Sequence, residues 1–177
     1  DKAFADEGWI GGNWKEKLFP HYETAKKMLG TTKAPIISKT DYMLKECASE
    51  MGKEDSFYNV DVGIHFSDQP GWVSDPYFNG DGPDRKGCIY CGECMVGCKH
   101  DAKNTLDKNY LYLAAALGVK IIPEMDVYDI KKTDAGYSVS AKRSTGLRHP
   151  KTEFKSSKVI VSGGVMGSVK LLMECKR

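Results

Sequence analysis

The sequence predicts an α/β chain, and three stretches carry that prediction. Val159-Ile160-Val161-Ser162 is a short apolar run that passes directly into Gly163-Gly164-Val165-Met166-Gly167 and a helical pattern to about Lys176. A strand–glycine–helix unit of this kind belongs to α/β folds, and 158–162 is expected as a parallel strand with its helix crossing behind the sheet. Residues 105–117 form a strong helical pattern closed by Gly118. Between these, 137–141 and 152–154 alternate as a hairpin around a polar tip at 143–151.

Taken in order, the chain begins with an amphipathic helix over 13–29. Asn13 is its N-cap, Trp14, Leu18, Tyr22, Ala25 and Leu29 recur at helical spacing, Pro20 predicts a kink, and Gly30 ends it. After a connector at 31–37, Ser38 and Asp41 have the spacing of a capping box. The helix they start is expected to run to Met51, to bury Met43, Leu44, Cys47 and Met51, and to stop at Gly52. Partial alternation over 57–66 predicts a strand. The stretch 67–87 is rich in Gly, Pro, Asp and aromatics and reads as an ordered loop, its aromatics packing on a core or lining a cleft. Downstream, 119–122 reads as a buried strand, and a second extended run after Pro123 reaches Ile130.

The bulk numbers bound the function. With 177 residues, 41% hydrophobic and 10% aromatic, the chain can build a packed core. A net charge of +2 gives no argument for nucleic acid. No apolar run approaches the roughly 18 residues of a transmembrane helix. The first residues lack an apolar signal core, so the reading is cytoplasmic. The absence of an initiator Met and an end inside a helical pattern suggest an excised piece.

Six cysteines are present, and four of them, Cys88, Cys91, Cys94 and Cys98, fall within eleven residues. The spacing C-x2-C-x2-C-x3-C is that of a bacterial iron–sulfur run, with Lys99 where proline usually follows. Glycines at 87, 92 and 97 would let the backbone turn the thiolates toward one centre. Three readings stay open: a [4Fe–4S] cluster, a closed structural zinc site, and reduced thiols kept for packing. His100 beside the run is the histidine to test first; His21 and His65 read as structural or surface groups. Arg85 reads as a surface partner of Asp84, while Cys47 and Cys175 read as buried structural thiols. The glycine turn at 163–167 brings free N–H groups at a helix N-terminus toward a phosphate or flavin edge, or serves packing alone.

The order Thr105-Leu-Asp-Lys-Asn-Tyr-Leu with Ala-Ala-Ala-Leu-Gly118, then Ile-Pro-Glu-Met-Asp-Val127-Tyr-Asp-Ile, then Gly136-Tyr-Ser-Val, resembles the glucose–methanol–choline (GMC) oxidoreductases. The similarity is greatest to their cholesterol-oxidase-like branch, and 159–172 is similar to the family's second flavin motif, with Ser168-Val169 in place of the commoner Thr-Pro. The resemblance covers about 100–177 well and 1–99 through the first helix and the Asp75-Pro-Tyr-Phe loop.

It implies part of an FAD-binding Rossmann-like domain (102–177), part of a cap or substrate domain (1–80) and a cysteine-rich junction (81–101). It also implies FAD as cofactor, with Val127 giving backbone contacts to the adenine and Gly163, Gly164 and Gly167 lying along the dinucleotide. The implied activity is oxidation of an alcohol or steroid-like small molecule, with the catalytic groups outside this stretch and the remainder of the same polypeptide and an electron acceptor as partners. Such a piece is expected neither to hold FAD tightly nor to turn over alone. The other readings are a ferredoxin-like electron-transfer module and a zinc-stapled structural domain.

Overall fold

The computed structural model describes residues 4, 8 and 10–176, and the chain divides into two units, Asp1–Val119 and Lys120–Arg177. The first unit contains α1 (Trp14–Met28), β1 (Thr32–Lys33), α2 (Lys39–Glu50), β2 (Asp61–Val62), β3 (Trp72–Val73), β4 (Arg85–Lys86) and α3 (Tyr110–Ala116). Its helix caps follow the sequence. Asn13 accepts the Glu16 N–H at 3.3 Å, and the Ser38–Asp41 capping box is complete in both directions. α1 runs through Pro20 as one helical span. A proline in the second turn forfeits a single backbone bond, which the rest of the helix tolerates.

Two expectations in this unit are corrected. The face of α2 expected to be buried is open: Met43, Leu44 and Met51 are more than half exposed, and Cys47 is exposed as well. The strand expected over 57–66 shrinks to the Asp61–Val62 pair on β1 and a single bridge from Ile64 to Lys103. Tyr58 and Val60 point to solvent, so the alternation there has no second surface to pack on.

The loop at 67–87 is ordered as expected, and hydrogen bonds order it more than aromatics do. β3 and β4 pair antiparallel across it. Asp75 accepts the N–H groups of Tyr77, Phe78, Gly80 and Gly82 at 2.8–3.1 Å, closing the tip around one carboxylate. Burial raises the Asp75 pKa, but the four N–H donors outweigh it and hold the carboxyl below its usual range. The helix expected over 105–117 is split. A 3-10 turn at Leu106–Lys108 gives way at Asn109, whose side chain accepts the Tyr110 N–H at 2.6 Å and starts α3 afresh. A short polar side chain that competes for a backbone donor is the reason for the break.

The second unit is a three-stranded antiparallel sheet, β5 (Met125–Thr133), β6 (Gly136–Arg143) and β7 (Lys151–Ser156), followed by α4 (Gly164–Cys175). The hairpin of β6 and β7 lies where alternation placed it, with Val139 opposite Phe154. Ala141, fully buried, sits opposite Val127, and the register slips just beyond Val127 so that Tyr128 is an extra residue in β5. The Cys175 thiol is a structural acceptor for the Ile130 N–H at 3.3 Å.

Two predicted strands are absent here. Residues 119–122 pair with nothing among the described residues, because Pro123 lacks a donor and Glu124 turns the chain at φ 58°. Residues 158–162 form no strand and pair with nothing among the described residues, and Ile160 is 89% exposed, so the expected parallel sheet is not formed. A parallel strand of this kind needs neighbours on both edges, and the described residues supply none.

Candidate functional site

The glycine turn and β5 form one site within the second unit. Val127, Gly163 and Gly167 line the same cavity, of about 430 Å³, together with Val161, Ser162 and Leu171. Gly164 is the first residue of α4 and is not part of that lining. The four glycine-turn and β5 positions therefore separate into three that face one space and one that shapes the backbone.

The separation has a physical basis. Gly164 has φ 70°, a conformation that costs any side-chain-bearing residue, so glycine there is explained by the turn itself. Gly163 and Gly167 have no such need. At Gly163, φ is −79°, and an added Cβ would meet Ser168 at an ordinary 3.5 Å. At Gly167 an added Cβ would meet nothing within 4 Å. Gly163 is the N-cap of α4, where glycine is well tolerated, whereas glycine at 167, inside a helix it weakens and where the chain would accept alanine, points to close approach by something outside the chain. The N-terminus of α4 adds unpaired donors, since no side chain caps it at Gly163. An apolar wall from Val127, Val161 and Leu171 beside free backbone N–H groups suits a flat heteroaromatic ring joined to a phosphate.

The first unit brings the four run cysteines around a second, narrower recess, which Cys88, Cys91, Cys94 and Cys98 all line with His100 and Lys103. All six cysteines are free thiols. Among the described residues no three His, Cys, Asp or Glu side chains are placed to hold one metal ion, so a formed zinc site is not present. The Cys88 sulfur accepts the Tyr90 N–H at 3.3 Å. Burial pushes the Cys98 thiol up, but backbone N–H groups of Lys103, His100 and Ala102 outweigh it and hold the thiol below its ordinary value.

Beneath this recess lies a polar core that sequence reasoning missed. Arg85 is 1% exposed and does not pair with Asp84 as expected. Its guanidinium donates to the carbonyls of Asp101 (2.8 Å), Ala102 (3.0 Å) and Lys103 (3.1 Å), pinning the segment that follows the cysteines. His65 is buried, its Nδ1 lies 3.3 Å from the Tyr77 hydroxyl, and that hydroxyl accepts from Asn104, which also donates to the Gly30 carbonyl. Burial first, and the Arg85 charge second, hold the His65 imidazole below its usual pKa. The backbone of His65 also accepts from Cys88 and donates to Ala102, so one strand of contacts ties the start of the cysteine run to its end. The only local sign of this core was the polar string Ala102-Lys-Asn-Thr105, which carries no burial information.

Comparison with known proteins gives the class of the chain. The GMC oxidoreductase family model matches residues 40–175. A cholesterol oxidase of Mycobacterium tuberculosis (strain H37Rv) is 39% identical over 181 residues, covering 98% of this chain and 31% of that protein. A cholesterol oxidase of Acinetobacter baumannii is 39% identical over 185 residues, covering 97% of this chain and 33% of that protein. No solved structure matches significantly. The chain belongs to the GMC oxidoreductases, a family of flavin enzymes, on its cholesterol-oxidase-like side. It spans about a third of the length of the curated relatives it matches.

Proposed function

We propose that the chain is the central part of an FAD-dependent GMC oxidoreductase that oxidises a carbinol carbon, and that its substrate is a sterol-like alcohol. The observation that carries the reading is Gly167, which no described contact within the chain requires and which lines the cavity shared with Val127 and Gly163. Bound FAD would supply the acceptor for the hydride leaving the carbinol carbon. The chain's own residues would bind and orient it: backbone at Val127 beside the adenine, the Gly163–Gly164 turn and the α4 N-terminus at the dinucleotide, and Gly167 admitting close approach. The sterol-like substrate class rests on the relatives' names and on family membership.

The remaining walls of the site belong to other parts of the same polypeptide in this reading. Its support is the apolar surface left open: Val165, Met166, Val169, Leu172 and Met173 on α4 are all at least half exposed. No described helix is long and apolar enough to cross a membrane, and six free thiols agree with a reducing compartment. The test is anaerobic titration of the full-length protein with a 3β-hydroxysterol and, separately, with a short primary alcohol. Bleaching of a bound flavin by the sterol at much lower concentration is expected. A flavin that neither alcohol bleaches would overturn the proposed reaction.

A further inference from the structure

We propose that Cys88, Cys91, Cys94 and Cys98 are the four thiolate ligands of one iron–sulfur cluster, held in the recess they line. The proposal does not depend on the flavin reading. Its first support is that packing does not explain the run. Ile89, Tyr90, Met95 and Val96 are 55–95% exposed, and the only regular structure between Cys88 and Cys98 is a 3-10 turn at Glu93–Met95. Such a loop buries too little apolar surface to fix its own shape. The shape is nonetheless strongly specified: Tyr90 (φ 60°), Gly92 (φ 75°), Gly97 (φ 118°) and Asp101 (φ 54°) all lie in the left-handed region. For a tyrosine that conformation is costly, and such strain gathers where a structure is organised around a ligand.

The second support is what surrounds the sulfurs. Backbone N–H groups aim at Cys88 from Tyr90 and at Cys98 from His100, Ala102 and Lys103, the donors that cluster sulfurs attract. The His100 Nε2 is buried at the recess without a partner, a donor available to an inorganic sulfide. Lys103 bonds the Cys94 carbonyl at 2.7 Å and lines the same space, which suits an anionic group.

The third support is the spacing. All four cysteines line one recess, and C-x2-C-x2-C-x3-C is the run of a bacterial iron–sulfur protein, whereas structural zinc sites more often pair two separated C-x2-C knuckles.

The test is to isolate the full-length protein without oxygen and quantify iron, acid-labile sulfide, zinc and flavin in one sample. Iron and sulfide in equal amounts, about four of each per chain, are expected. In the C91S/C94S double variant both should fall at least tenfold, while C47S, outside the run, keeps them. Should the double variant not fold, the wild-type analysis and anaerobic reconstitution with ferrous iron and sulfide decide alone. Zinc in place of iron, or no iron uptake on reconstitution, overturns the proposal. Because flavin is counted separately, iron without flavin removes only the flavin reading, and flavin without iron removes only this one.

Discussion

Arg85 is the residue whose loss should be felt most in the first unit. A buried guanidinium that satisfies three carbonyls leaves all three unpaired when truncated, and R85A is expected to destabilise the protein by about 3 kcal/mol. Urea denaturation followed by tryptophan fluorescence measures it; a loss below about 0.5 kcal/mol would place those carbonyls in water. His65 gives a pH signature. Its folded pKa lies below the ordinary value, so the unfolded chain binds its proton first as pH falls. The stability that neutral His65 contributes is fully present above about pH 6.5 and is lost as pH drops through the depressed folded value. H65Q should therefore flatten the fall in Tm between neutral pH and about pH 5, and an unchanged profile would contradict the assignment. Asp75 acts lower on the scale: its contribution is present above about pH 4 and lost as pH falls further, and D75N should remove that acid limb. Of these three roles only that of His65, read as a structural or surface histidine, was partly legible in the sequence. Asp84 and Arg85 read as a surface pair because adjacency is visible and burial is not, while the four donors around Asp75 come from a loop conformation that only a folded chain has.

Among the elements, α4 carries the sharpest prediction. If Gly167 were a packing glycine, G167A would clash; nothing lies within 4 Å of the added carbon, so the substitution should strengthen the helix by about 0.5–1 kcal/mol. If Gly167 admits a dinucleotide, the same change should weaken flavin retention in the full-length protein. The two effects have opposite signs, and thermal unfolding with and without excess FAD separates them. Elements governed by local chemistry were readable. Asn13, the Ser38–Asp41 box and the β6–β7 hairpin lie where their signals put them. Elements that depend on distant partners were not. The runs at 57–66, 119–122 and 158–162 have strand-like side chains, but pairing is decided by a second strand, and for most of these residues none is described.

At the scale of the whole molecule, the notable property is how little is buried. Ala102 and Ala141 are the buried hydrophobic residues among those described, whereas apolar side chains on α2 and α4 stand open. The chain covers about a third of its relatives' length, and the segment 158–162 finds no strand to pair with among the described residues. The family was legible because its motifs are local strings; of the residues singled out from the sequence, Val127, Gly163 and Gly167 line one cavity and Gly164 shapes the turn, a placement that depends on how β5 and α4 pack and that no local string carries. The flavin-bearing role of that cavity is tested most directly by the visible spectrum of the full-length protein, wild type and G167V, purified side by side. The wild type should show the two-banded absorption of an oxidised flavin, and G167V should be folded but largely colourless in that region. A wild type without flavin, or a G167V protein that retains a full complement, would contradict it.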